Sequence, residues 1–386
     1  MQSVKRNILL TPGPATTTNE VKLAQVVSDI CPRESDFATV IEYVATELTD
    51  LVADQTHYAT VLFGGSGTAA VESILSSVGS EHTILIINNG AYGKRMCEIA
   101  EAYGLHFMEF KSTPENRINL SDLQAIISKS HNKISHLAVV HHETTTGLLN
   151  DIASIGQLCR TYGIDLIVDA ISSFGAIPIQ MSEMNVSYLA ASSNKNIQGM
   201  PGIAFVVANK QKLESLRQKK PANYYLDLYA QYRYLADTRQ MRFTPPVQTF
   251  YALKKAIEAL KQEGLQKRYE RYVKSWQTLT DGIRRLGLTH IVNEDHHAKL
   301  VTALIEPDCT KYDFHAMHDF FYTRGFTIYP GKLESLHTFR VANIGDITYK
   351  DVEAFLKLLE EYLIFIGFNV DNGITVTKID RMGAEQ

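Results

Sequence analysis

Cysteine is scarce in this chain: Cys31, Cys97, Cys159 and Cys309 are scattered over 386 residues, and no two form a CxxC pair. That usage argues against a disulfide framework and suits free thiols in a reducing compartment. No apolar run approaches the ~18 residues of a membrane-spanning helix. The run Ile8-Leu9-Leu10 behind Lys5 and Arg6 is also too short for the core of a signal peptide. A soluble, cytoplasmic protein is the expectation. An excess of one charge is missing too, since the formal net charge is only -4. The one dense basic run, Lys210 to Lys220, reads as a solvated helix face, so there is no electrostatic footprint for nucleic acid. Internal repeats and low-complexity tracts are absent. What remains, 45% hydrophobic and 21% charged residues, is an ordinary globular composition, long enough for two or three packed units.

Short apolar runs punctuate residues 20 to 255: Thr60–Phe63, Thr83–Ile87, Leu105–Phe110, His136–Val140, Ile164–Val168, Tyr188–Ala191 and Ile203–Val207. They are apolar on both faces and separated by helical patterns such as Tyr92–Tyr103, Leu120–Ser130 and Ile152–Tyr162. This predicts an α/β unit with a mostly parallel seven-stranded sheet covered on two sides. After Thr244-Pro245-Pro246 come two long helical patterns, Phe250–Glu263 and Leu265–Leu286. A smaller α+β unit follows, with strands Leu300–Ile305, Thr327–Tyr329 and Thr338–Val341 and helices Phe314–Tyr322 and Asp351–Phe365. The division expected is a large domain over 15–260 and a small one over 261–386. The stiff Thr11-Pro12-Gly13-Pro14 segment within residues 1–14 crosses back to the small one, and the polar stretch Asn369–Gln386 reads as a loosely packed tail.

Three constellations carry chemistry. Gly64-Gly65-Ser66-Gly67-Thr68 follows a strand and opens a helix. Glycines there let the backbone approach an anion, the two hydroxyls donate, and the helix N-terminus offers unpaired N–H groups. The alternative is a glycine turn before an ordinary helix; the segment matches neither the P-loop nor the dinucleotide fingerprint. Second, Ile164–Val168 closes on Asp169, at the sheet edge where open α/β sheets bind ligands. Lys195 lies 26 positions further on, beyond one more strand, on the short loop Ser192-Ser193-Asn194. A buried lysine and a carboxylate on neighbouring strand ends are what pyridoxal phosphate chemistry needs, the amine condensing with an aldehyde and the carboxylate holding a pyridine nitrogen protonated. Third, His141-His142-Glu143-Thr144 follows a strand without HExxH spacing or a third ligand cluster, so it reads as a ring contact through Thr144 rather than a metal site.

These segments resemble the class V, fold-type-I aminotransferases. The matching runs are Leu10-Thr11-Pro12-Gly13-Pro14, Ile30-Cys31-Pro32-Arg33-Glu34, Gly65-Ser66-Gly67-Thr68, Asn89-Gly90-Ala91-Tyr92-Gly93 and Glu143-Thr144-Thr145-Thr146-Gly147. They continue through Val168-Asp169-Ala170, Ser193-Asn194-Lys195, Arg242-Phe243-Thr244-Pro245-Pro246 and Phe339-Arg340-Val341-Ala342-Asn343-Ile344-Gly345, spanning nearly the whole chain. The likeness is strongest to members that exchange an amino group between 2-aminoethylphosphonate and pyruvate in phosphonate catabolism. It implies pyridoxal 5'-phosphate as cofactor, with Lys195 as the cofactor-binding lysine and proton carrier and Asp169 paired with the ring nitrogen. Thr144 and Tyr92 would lie against the ring, and Ser66, Gly67, Thr68 and Asn194 would hold the phosphate. Thr244 would reach in from the second subunit of a homodimer. Arg340 would grip the acidic end of each substrate, with Arg33 as a possible second charge or a structural ion pair. Asn196 and Ile203 depart from the pattern, where cysteine and an aromatic residue are expected.

Two competing activities keep most of these residues. An alanine–glyoxylate or serine–pyruvate aminotransferase would share every cofactor contact. A non-catalytic protein of the same fold would bind a phosphorylated ligand only. A cysteine desulfurase would need a reactive loop cysteine, and Cys309 between Asp308 and Thr310 has no supporting base.

Overall fold

The computed structural model describes residues 4–79, 83–130, 133–332 and 337–370. Seven strands form the large sheet: β1 (Tyr58–Gly64), β2 (Thr83–Asn88), β3 (Phe107–Lys111), β4 (Ile134–Val140), β5 (Asp165–Asp169), β6 (Val186–Ser192) and β7 (Ile203–Asn209). Their order is β1-β7-β6-β5-β4-β2-β3. The five strands from β6 to β3 pair in parallel, while β7 runs antiparallel to both β6 and β1. The expected sheet is therefore present with one reversed strand. A continuous apolar run such as Ile203–Val207 carries no information about direction.

Successive side chains of a strand point to opposite faces, and here both faces are dry. Leu85, Ile87, Leu166 and Val168 fall into one buried cluster, and Ile84, Ile86 and Ile167 into another. Helix α1 (Ser35–Asp50) covers the first face with Phe37, Val40, Ile41, Val44 and Leu48 at helical spacing. Helices α2 (Gly67–Val78) and α3 (Ala91–Ala102) cover the second. Helix α4 (Val247–Glu263) returns to the first face, where Phe250 meets Phe37 edge to face with centroids 5.8 Å apart.

Helix α5 (Leu265–Arg285) leads to the smaller unit, whose antiparallel sheet has the order β8-β10-β9, with β8 (Val301–Ile305), β9 (Tyr329–Pro330) and β10 (Thr338–Ala342). Leu279 and Ile283 of α5 pack with Phe339, Phe355 and Leu359 in its core, the last two from α6 (Tyr349–Phe365). The expected strand Thr327–Tyr329 is divided. Phe326–Thr327 pairs in parallel with Ile8–Leu9, and Tyr329–Pro330 pairs with β10. The N-terminal segment crosses as expected: the Ala342 N–H donates to the Leu10 carbonyl at 3.0 Å and the Ala15 N–H to the Asn194 carbonyl at 2.9 Å. Most of the expected polar tail, from residue 371 onward, lies outside the described residues.

Register decides where the chemistry falls. Val140, Asp169 and Ala190 are neighbours across β4, β5 and β6, so the segments leaving these strands emerge side by side. Ile203 opposes Gly64, and the Gly65 N–H donates to the Gly202 carbonyl at 2.9 Å, which brings the glycine loop to the same edge.

Candidate active site

Lys195 is held three residues beyond β6, and its Nζ donates to the Pro12 carbonyl at 2.8 Å. The N-terminal segment thus lies across the lysine. Gly13, at φ +140°, passes so close that a Cβ there would collide with the Lys195 side chain, which is why glycine is required at this position. Burial lowers the Lys195 pKa, opposed by Tyr92 and Asp169 and assisted by the cations Lys332 and Arg340.

Asp169 ends β5 almost fully buried, and one carboxylate oxygen accepts the Ile171 N–H at 2.9 Å. Among the described residues it has no ion-pair partner, and burial pushes its pKa up to about 6 from an ordinary 3.8. A buried carboxylate in that state is a receptor for a cation. Because the folded protein binds this proton more tightly than the unfolded chain does, the group favours folding below pH ~4. That contribution is lost as pH rises through about 6. In cofactor-free protein, Asp169→Asn should therefore gain stability relative to the parent as pH rises from 4 to 7, by about 2–3 kcal/mol. Thermal melts of both proteins across that range check it, and a difference that does not vary with pH contradicts the isolated carboxylate.

Around this pair the structure gathers a narrow cavity lined by Tyr92, His142, Thr144, Asp169, Ile171 and Lys195. Tyr92 sits in the first turn of α3 and lines the cavity beside Thr144. Burial acts against ionisation of this phenol, but the neighbouring Thr144 side chain and the cations Lys332, Lys195 and Arg340 bring its pKa below the ordinary value. Arg340, on β10, is buried; its Nε donates to the Pro330 carbonyl at 2.9 Å and Nη1 to the Thr144 carbonyl at 3.2 Å. It also packs 5.5 Å from the Tyr329 ring centroid. Two carbonyls thus fix the guanidinium, one of them that of Thr144, which lines the cavity.

The glycine loop leaves donors open at a helix start. Ser66 is the N-cap of α2, exposed, and its side chain makes no capping bond, so hydroxyl and helix N–H groups are available to an anion. Gly67 packs against Ile171, where an added Cβ would stand 2.7 Å from the Ile171 side chain; this close approach sets the cup beside the Asp169 turn. Asn194 Oδ1 accepts a bond from the Ser192 hydroxyl at 2.9 Å. An anion cradle, an unpaired buried carboxylate and a buried amine at one edge fit pyridoxal phosphate in both charge and placement.

Two expected residues are not brought to Lys195 in this chain. Arg33 makes no ion pair among the described residues. It donates to the Met241 carbonyl at 2.6 Å, to the Arg242 carbonyl at 3.2 Å and to Gln240 Oε1 at 3.2 Å. It therefore fixes the segment that carries Thr244, which is itself exposed.

Three participants had no clear signal in the sequence. Glu143 is fully buried and accepts from the Tyr92, Gly93 and Thr145 N–H groups at 3.2, 3.3 and 3.1 Å and from the Thr145 hydroxyl, anchoring the start of α3 and so Tyr92. Its pKa is raised by burial against those bonds. His142 bonds through Nδ1 to the Ser172 carbonyl at 3.2 Å, and its buried Nε2 has no partner. Burial lowers its pKa to about 4, so the ring is neutral and lines the cavity as an uncharged wall. The third is the Pro12 carbonyl on Lys195, a contact across 183 positions of sequence. Among the described residues no cluster of three or more His, Cys, Asp or Glu could hold a metal, and no helix is long and apolar enough to cross a membrane.

Comparison with known proteins agrees with this geometry. The aminotransferase class V pattern matches residues 18–332. The chain is 39% identical to a 2-aminoethylphosphonate–pyruvate transaminase of Salmonella paratyphi B over 356 residues, covering 91% of this chain and 96% of that one. A protein of the same description from Klebsiella pneumoniae is 38% identical over 357 residues, covering 92% and 96%. Among solved structures, alanine–glyoxylate aminotransferase from Nostoc sp. superposes with a TM-score of 0.87 at 26% identity, covering 94% of this chain and 96% of that one. Pyridoxamine–pyruvate aminotransferase from Mesorhizobium loti gives 0.86 at 22% identity, covering 96% and 95%, and shares the fold. With the pattern over most of its length and a lysine, a carboxylate and an anion cup on one sheet edge, the chain belongs to the class V aminotransferases.

Proposed function

We propose that the protein transfers the amino group of 2-aminoethylphosphonate to pyruvate, giving phosphonoacetaldehyde and L-alanine. The observation that carries this reading is Arg340, a buried guanidinium fixed at the cavity that holds Lys195, in a chain 39% identical to transaminases of that description. A planar fork suits a phosphonate and a carboxylate in turn, so one anchor serves both half-reactions.

Pyridoxal phosphate, when bound, supplies the aldehyde that takes up the amino group and the ring that draws electrons from the adjoining carbon. The chain's own residues do the rest. Ser66, Gly67, Thr68 and Asn194 would hold the phosphate, and Asp169 would offer its charge to the ring nitrogen. Thr144 and Tyr92 would lie against the ring. Lys195, whose pKa burial lowers, stands where it can take a proton from the amine-bearing carbon and return it. Arg340 orients that carbon by fixing the acid group at the far end of the substrate. The N-terminal segment over Lys195 limits the entry of water.

The same reading includes a homodimer. Exposed Tyr224 and Tyr225 pack with Phe243, and Arg242 lies over Tyr224 and Phe243 at 5.1 and 5.0 Å, an aromatic and arginine surface of the kind that subunit interfaces use. Arg33 would hold this surface in shape while Thr244 reaches the partner's phosphate cup. Four free thiols suit a cytoplasmic location.

The experiment is a half-reaction on purified holoenzyme. 2-Aminoethylphosphonate should bleach the visible absorbance of the bound cofactor, and pyruvate should restore it with formation of L-alanine. Bleaching by L-alanine or L-serine with glyoxylate as the preferred acceptor, and none by the phosphonate, would assign the alternative class V activity. Absence of any turnover would mark a ligand-binding protein.

A further inference from the structure

Beside the inner cavity lies a much larger open one of about 790 Å3, lined by Asn88, Gly90, Lys94, Arg95, Lys111 and Lys332 among others. Its polar lining is strongly cationic. Lys94 is paired with Glu98 at 3.8 Å and Lys111 with Glu109 at 3.4 Å, both at the exposed surface. Among the described residues Arg95 and Lys332 have no ion-pair partner. Both lie over one ring, that of Tyr92: Lys332 Nζ is 4.4 Å and the Arg95 guanidinium carbon 4.8 Å from its centroid. Tyr92 therefore links the two, since it lines the inner cavity while two cations of the outer one lie over its ring. Lys332 and Arg340 both act on Tyr92 and on Lys195 electrostatically, so the two cations belong to one neighbourhood.

The backbone ties Lys332 to the anchor. Pro330, whose carbonyl accepts from Arg340 Nε, stands two residues before Lys332. Between them the Gly331 N–H donates to the Thr338 carbonyl at 2.8 Å, and a Cβ on Gly331 would collide with that residue. Glycine thus permits the close approach of the residue after β9 to the start of β10, the strand that carries Arg340, with exposed Lys332 one residue further on. Two cations, one on β10 and one just past β9, thus act on the same tyrosine, Arg340 buried and Lys332 exposed.

We propose that Lys332 is a specificity-determining residue, supplying a second positive charge to the acid group of the amine donor beside Arg340 and favouring a dianionic phosphonate over a monoanionic carboxylate. The inference rests on the amino transfer proposed above. A phosphonate resembles a phosphate monoester, which has a second ionisation near pH 6 and three acceptor oxygens, so it carries more charge and more acceptors than Arg340 alone can engage. A carboxylate has two oxygens and one charge, which Arg340's planar fork can match. The wide cationic mouth also raises the local concentration of the more highly charged substrate.

The test is Lys332→Met compared with Lys332→Arg in holoenzyme at pH 8, each assayed with 2-aminoethylphosphonate and with L-alanine as amine donor. Loss of a charged hydrogen bond predicts a fall of about 10- to 100-fold in kcat/KM for the phosphonate. The ratio of phosphonate to alanine efficiency should fall at least about tenfold, through KM more than kcat, and Lys332→Arg should recover most of it. Inhibition by ethylphosphonate, which lacks the amine, should weaken in Lys332→Met more than inhibition by propionate. An equal loss with both donors, or unchanged selectivity between the two inhibitors, would overturn the role of Lys332 while leaving the transamination intact. Failure of the unmodified protein to use the phosphonate would overturn both.

Discussion

Lys195→Ala protein is expected to lack the visible absorbance of bound cofactor and to lose turnover by at least ~10^4-fold, the upper end of what a positioned proton carrier contributes. No other described lysine combines this burial with this location. Nζ lies under the Pro12 carbonyl and lines the cavity shared with Asp169 and Thr144. The remaining structure should tolerate the change, since among the described residues the side chain's one hydrogen bond is to Pro12. Absorbance spectra and steady-state rates check it. Retention of both colour and turnover would mean that another amine carries the chemistry.

Arg340→Ala should spare the absorbance and weaken both substrates. Losing two charge-assisted bonds to an oxyanion predicts a decrease of roughly 10^2- to 10^3-fold in kcat/KM for the phosphonate amine and for pyruvate alike. Part of this loss would come from the Pro330 and Thr144 carbonyls, which lose their donor in the alanine protein. Arg340→Lys separates the contributions, because it keeps the charge and loses the planar fork. Steady-state kinetics with each substrate varied in turn reads the result. A loss confined to one substrate would mean that donor and acceptor use different anchors, and loss of colour alone would place Arg340 on the cofactor.

Much of this site was legible in the sequence because its parts follow strands. Asp169 closes an apolar run, Lys195 follows the next one, and the glycines at 64, 65 and 67 sit between a strand and a helix; period and punctuation are local signals. Helix α1 is equally legible in the spacing of Phe37, Val40, Ile41, Val44 and Leu48. What was not legible depends on contacts between distant segments. The Pro12 carbonyl on Lys195, the Met241 and Arg242 carbonyls on Arg33 and the Thr144 carbonyl on Arg340 are backbone acceptors, and any residue type supplies one. Strand direction is invisible for the same reason, so the reversed β7 had no signature. Glu143 drew attention as a metal-like neighbour of two histidines. Its partners are N–H groups at the start of α3, about fifty residues earlier, which no local pattern reveals.

The chemistry depends on one amine, and the most direct measurement is to fix the cofactor in place. Holoenzyme reduced with borohydride and digested should yield a single cofactor-bearing peptide, with the added mass on Lys195. Label on any other lysine, or none on a protein that binds the cofactor, would contradict the assignment on which the mechanism stands.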